Sequence, residues 1–178
     1  MVLTDNFEFF SNLVAIRNLG FSKERSYLHR QEGLQLRLSS MQAALAVRQI
    51  PRMPEILMKK KRILEYYQSG LSGLESVSLL KQKDWAQSSN WVVPIKVNPK
   101  RKTVVVLREE LLKQGIETRP LFHGMHAQPI YSKFEFTQKR RFPVSEEATN
   151  IGLILPSGLG TTENQLEYVV SKLRLLIE

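Results

Sequence analysis

The sequence predicts an α/β fold, and a small set of observations points there. The run WVVPIKV at 91–97 sets Trp91, Val93, Ile95 and Val97 against Val92, Pro94 and Lys96, the alternation of a strand with one buried face. In 54–74 and again in 163–176, apolar residues recur at the three-and-four spacing of a helix lying on a core. Helical and strand-like segments interleave along the chain, which is the α/β pattern, and do not fall into separate blocks.

Taken in order, MVLT reads as a very short strand closed by Asp5 and Asn6. Residues 7–19 have helical spacing, with Phe10, Leu13, Val14 and Ile16 inward and Gly20 as the C-cap. Residues 21–31 are polar and read as loop. The segment 33–50 opens extended and becomes a helix, because Ser39 with Gln42 makes a capping box and Ala43, Ala44 and Ala46 favour helix. Pro51 interrupts it, and Pro54 suits the first turn of the next helix. That helix carries the stripe Leu57, Leu64, Tyr67, Leu71 and Leu74 and stops at Gly70 and Gly73. Residues 77–80 and 91–97 are strands, and Pro94, which cannot donate a ladder bond, argues for an edge or a bulge. Residues 103–114 form a helix with Val104, Leu107 and Leu111 inward, ended by Gly115. The basic run 139–141 precedes a short helix at 145–150 and a short strand at 153–155. Thr162 with Gln165 is a second capping box, opening a helix that buries Leu166, Val169, Val170, Leu173 and Leu176.

The 178 residues suit one domain, or one domain with a piece of another. A hydrophobic share of 42% supplies a core. With no cysteine, disulfides, thiolate metal sites and cysteine nucleophiles are excluded, and a cytoplasmic location fits. The N-terminus has no signal-peptide pattern, and no run approaches the roughly 18 apolar residues of a membrane span. The net charge of +9 raises nucleic acid as a partner, but the basic residues are dispersed. Their tightest cluster, 59–62, reads as a solvated helix face, so no nucleic-acid partner is expected.

The densest run of chemically capable side chains is GIETRPLFHGMHAQPIY at 115–131, which holds Arg119, Phe122, His123, His126, Gln128 and Tyr131. Its glycines and prolines mark an irregular loop, a usual place for a ligand. His123 and His126 are spaced as a metal pair, but no third ligand lies near, so no metal is expected. Nucleophile elbows and glycine-rich phosphate loops are absent from the sequence.

The ordered segments resemble the C-terminal half of the DegT-type sugar aminotransferases, most closely perosamine synthase-like members. HRQEGLQLRL at 29–38 is similar to the family's His-x-x-x-Gly-x-Asn-x-Arg-Met pattern, and 41–50 to its Gln-Ala-Ala helix. Arg62 to Tyr67 falls where the family has an Arg and a Tyr in its domain-joining helix. The run at 115–131 and FPVSEEATNIGLILPSGLGTTENQ at 142–165 resemble its later elements, so the likeness covers nearly the whole chain.

The resemblance implies the C-terminal part of a fold-type I aminotransferase that uses pyridoxal phosphate. Residues 1–50 would be a remnant of the large cofactor domain and 51–178 the small domain that helps close the site. It implies a homodimer with the active site at the interface, glutamate as amino donor and a nucleotide-linked keto sugar as acceptor, in polysaccharide or lipopolysaccharide O-antigen synthesis. Gln35 and Arg37 would face the cofactor phosphate, Gln35 standing where the family usually has Asn. Arg119, Phe122, His126 and Gln128 would meet the sugar nucleotide. The family's Schiff-base lysine segment corresponds to none of the lysines here, so no catalytic residue is assigned and the chain alone is expected to be inactive. A non-catalytic dimerisation module that keeps the small-domain fold is the alternative.

Overall fold

The computed structural model describes residues 2–21, 27–29, 31–134 and 141–178, so Lys139 and Arg140 of the basic run and much of the loop at 21–31 lie outside the described residues. The chain forms two compact units, Met1–Arg52 and Met53–Glu178.

The first unit is built on α1 (Phe7–Arg17) and α2 (Ser40–Gln49). Asn6 caps α1 by accepting from the Phe9 N–H at 2.9 Å. The capping box expected from Ser39 and Gln42 is formed, each side chain taking the other's backbone N–H. Residues 2–4 have no regular secondary structure, so the strand expected there is absent. Helix α1 ends two residues earlier than expected, at Arg17, with Asn18 as its C-cap and Leu19 and Gly20 both at positive φ. Neither helix buries a residue: Phe10 is 50% exposed and Ile16 37%. The expected inward face has too little on it to be a core.

The second unit holds α3 (Met53–Gly70), β1 (Val77–Leu79), β2 (Val93–Val97), α4 (Val104–Lys113), β3 (Arg119–Pro120), α5 (Pro143–Ile151), β4 (Gly152–Leu155) and α6 (Glu163–Ile177). The sheet is antiparallel throughout, in the order β1-β2-β4-β3. Val93 lies opposite Leu155 and Ile95 opposite Leu153, so these four share one face. Against it pack Ile63 and Tyr67 of α3, Leu107 and Leu111 of α4, and Leu166, Val169 and Leu173 of α6, which together form the core. Helix α5 lies against β2 and β4.

Several expectations shift here. Leu57 is 40% exposed, and Ile63 takes the core position, because the body of the unit begins only about two turns into α3. Trp91 is 67% exposed, since β2 starts at Val93, its last pairing with β4. Pro94 is neither in an edge strand nor at a bulge: it sits in β2, between two neighbours, where β1 has already stopped opposite Ile95. Residues 115–131 are not wholly irregular, for Arg119 and Pro120 pair with Ile154 and Leu153 as an edge strand.

Helix ends are closed by side chains. Arg174 of α6 donates from Nε to the Gly70 carbonyl at 2.8 Å and from Nη2 to Ser72 O at 2.7 Å, neutralising the carbonyl-rich end of α3. The Thr162–Gln165 capping box opens α6 as expected.

Candidate functional site

In the second unit the segment after α4 is held by its backbone and by neighbours. Gly115 turns it at φ 74, and β3 then ties Arg119 and Pro120 to β4. Leu121 N donates to Gly152 O at 3.1 Å, and the Thr149 hydroxyl of α5 donates to Phe122 O at 3.1 Å. Beyond this, single 3-10 turns at Met125–Ala127 and Pro129–Tyr131 carry the chain onward.

This path separates the residues the sequence grouped. Arg119 lines a cavity of about 740 Å³ together with Lys60, Glu117, Asn164, Gln165 and Tyr168. Phe122 is exposed and stacks on Trp91, with ring centroids 6.0 Å apart and planes 10° from parallel. His126 lines a smaller cavity of about 240 Å³ with His123, Glu146 and Asn150. Gln128 lines neither of these two cavities; its backbone joins the 3-10 turns.

His126 is the more enclosed of the loop's two histidines. Its ring lies 4.5 Å from that of Phe142. It also covers Gly124, where a Cβ would come within 2.5 Å of the imidazole Cε1. Its Nε2 is buried and makes no hydrogen bond among the described residues, with Glu146 Oε1 3.6 Å away. A buried nitrogen without a partner costs free energy, and a ligand hydroxyl or carbonyl that bonded it would recover that cost.

Lys60 is the residue the sequence reading missed. Its Nζ donates to Trp91 O at 2.8 Å and to Ser157 O at 2.5 Å, bridging α3 to the segments around β2 and β4. Burial lowers its pKa from 10.5. The signal was its phase: three and seven residues before Ile63 and Tyr67, it falls on the same face of α3. Its neighbours do form the solvated face expected of the basic cluster, Lys59 pairing with Glu55 at 2.8 Å and Lys61 with Glu65 at 3.6 Å.

In the first unit Gln35 and Arg37 are exposed and act as a pair, Arg37 Nε donating to Gln35 Oε1 at 3.1 Å. The amide's acceptor end is thereby used, while its N–H groups and the outer guanidinium nitrogens have no hydrogen-bond partner among the described residues. Such a donor set suits a phosphate. His29 is structural, donating from Nδ1 to Leu19 O at 2.7 Å and lying 4.7 Å from the Phe21 ring. Among the described residues, no group of three His, Asp or Glu could hold a metal, and no helix is long and apolar enough to cross a membrane.

Residues 1–174 match the DegT/DnrJ/EryC1/StrS aminotransferase family. The chain belongs to that family. It is similar to GDP-perosamine synthase of Vibrio cholerae, with 27% identity over 173 residues, covering 95% of this chain and 46% of that protein. It is also similar to GDP-perosamine synthase of Escherichia coli O157:H7, with 25% identity over 169 residues, covering 95% and 44%. The fold matches the crystal structure of the aminotransferase TlmJ from Streptoalloteichus hindustanus with a TM-score of 0.81 at 18% identity, covering 96% of this chain and 45% of that one. The chain thus spans less than half the length of the relatives it matches.

Proposed function

We propose that these 178 residues form the C-terminal part of an enzyme that transfers an amino group, with glutamate as donor, to a nucleotide-linked keto sugar in cell-surface polysaccharide synthesis. In this reading 1–50 belong to the cofactor domain, 51–178 are the small domain, and the Schiff-base lysine belongs to a segment outside these 178 residues. A cytoplasmic homodimer follows from the same reading. The observation that carries it is the family match over 1–174, joined to a loop that presents Arg119 and His126 to two cavities.

Pyridoxal phosphate, when bound, supplies the electron sink for amino transfer. Gln35 and Arg37 would hold its phosphate through their uncommitted donors. Arg119 offers a planar fork of donors to an anionic group of the substrate. Nε2 of His126, which makes no hydrogen bond among the described residues and has the Glu146 carboxylate 3.6 Å away, would donate to a sugar hydroxyl or carbonyl. Phe122 and Gln128 complete the contacts, and Phe142 keeps water from the imidazole.

The test is amination of a 4-keto sugar nucleotide by the chain assembled with its cofactor domain, glutamate supplied and product read by mass. Glutamate-dependent amino sugar is expected. As a control, the 178-residue chain alone is treated with pyridoxal phosphate and borohydride. Stoichiometric labelling of one lysine within it would contradict the assignment of that lysine to another segment. An assembled protein that binds cofactor and does not aminate would favour the alternative, a dimerisation module.

A further inference from the structure

The imidazole of His126 has a different group on each side. The Phe142 ring lies against it, with centroids 4.5 Å apart. Its Nδ1–Cε1 edge is turned to the backbone of Gly124, where an added Cβ would lie 2.7 Å from Nδ1 and 2.7 Å from the Ser145 hydroxyl oxygen. Its Nε2 is buried, makes no hydrogen bond among the described residues, and has Oε1 of Glu146 3.6 Å away. Both residues line the smaller cavity.

Glu146 is itself held in place. It stands in the first turn of α5, a position that suits a negative charge. Its Oε1 accepts the Phe142 N–H at 3.4 Å. Phe142 therefore gives its ring to the imidazole and its N–H to the carboxylate, which ties the two groups to one point of the backbone.

A neutral imidazole carries one ring proton, on Nδ1 or on Nε2, and its surroundings decide which. An ionised carboxylate only accepts hydrogen bonds, so it repels a bare Nε2 lone pair and attracts an Nε2–H. The His126 side chain is 13% exposed, so water screens this preference little. On the Nδ1 side stands the Ser145 hydroxyl, which can donate to a bare nitrogen as readily as it accepts.

We propose that Glu146 is a positioning residue for the reaction: its carboxylate keeps the His126 proton on Nε2, so that the ring offers the cavity a donor and not a lone pair. The inference rests on the amino-transfer reading for the group that this donor meets. The place of the proton does not depend on that reading.

The histidine rings of the 178-residue chain are labelled with 15N, and their proton–nitrogen couplings are recorded above the ordinary histidine range, where imidazoles are neutral. His126→Asn identifies the signals. Nε2 is expected at the shift of a protonated nitrogen and Nδ1 at that of a bare one. Glu146→Gln keeps an oxygen for the Phe142 N–H and loses the charge, so its thermal midpoint should stay near wild type while the proton redistributes toward Nδ1. Glu146→Asp, which keeps the charge, should retain the wild-type signals. A wild-type ring protonated on Nδ1 overturns the proposal whether or not the variants fold, as does the same tautomer ratio in wild type and folded Glu146→Gln. In the assembled enzyme, Glu146→Gln should lower kcat/KM about tenfold with the cofactor's absorbance unchanged, and Glu146→Asp should recover most of the loss. An unchanged kcat/KM beside a shifted tautomer also overturns the proposal. An assembled wild type that does not aminate, with the proton on Nε2 as expected, removes the amino-transfer reading and keeps the assignment of the proton to Glu146.

Discussion

A methyl group at Gly152 would come within 2.3 Å of the Ala148 carbonyl oxygen and 2.6 Å of Leu121 Cβ. Backbone cannot yield as a side chain does, so Gly152→Ala should destabilise the second unit by about 1–3 kcal/mol, read as a lower urea midpoint. Tyr67 makes a different prediction. Its ring is fully buried, its hydroxyl donates to Pro156 O at 2.7 Å, and burial pushes its phenol well above the ordinary 10.0. The unfolded chain ionises at the ordinary value while the folded one resists, so this contribution is whole below pH 10 and is lost as the pH rises further. The urea midpoint should therefore fall as pH is raised from about 9 to 11, and Tyr67→Phe should flatten that fall. Lys60, whose pKa is lowered, acts in the opposite sense, its burial cost easing as it loses its proton. At this scale the sequence was informative where chemistry is local. Arg119, Phe122 and His126 were legible as a group of capable side chains. That Arg119 and His126 line different cavities was not, because it depends on where β3 pairs and where α5 lies.

At the scale of elements, both capping boxes were legible because each needs only residues three apart. Thr162→Ala removes one of them and should cost about 1 kcal/mol, measured by the thermal midpoint. The buried face of β2 was legible for Val93, Ile95 and Val97 by alternation alone. Trp91 shares their phase but lies beyond the last residue paired with β4, and alternation does not say where a strand stops. The strand β3 was hidden for a related reason. It is two residues long, one of them proline, and it exists because β4 offers a free edge. Leu57 has the spacing of a core residue in α3, yet spacing does not reveal that the helix outruns the body beneath it.

Across the whole molecule the two units differ in kind. Met53–Glu178 owns a continuous core, while in Met1–Arg52 neither helix buries a residue and Phe7, Leu36, Met41 and Leu45 are all exposed. A hydrophobic share of 42% says that a core exists and not how it is divided. Apolar surface of this extent favours association. Light scattering after size exclusion should show dimers or larger species, and limited proteolysis should cut before Pro51 first. A monomer that resists protease over 1–50 would count against the assignment of those residues to a domain completed elsewhere.

The central claim is that the segment at 115–131 serves amino transfer to a sugar, and His126→Asn tests it most directly. In the chain assembled with its cofactor domain, kcat/KM for a 4-keto sugar nucleotide is measured beside the cofactor's absorbance. Loss of one enclosed ligand hydrogen bond should lower kcat/KM by roughly ten- to a hundredfold, with the absorbance unchanged. An unchanged kcat/KM would contradict the account: with His123→Asn impaired instead, the ligand contact belongs to His123, and with neither impaired, the segment only shapes the fold.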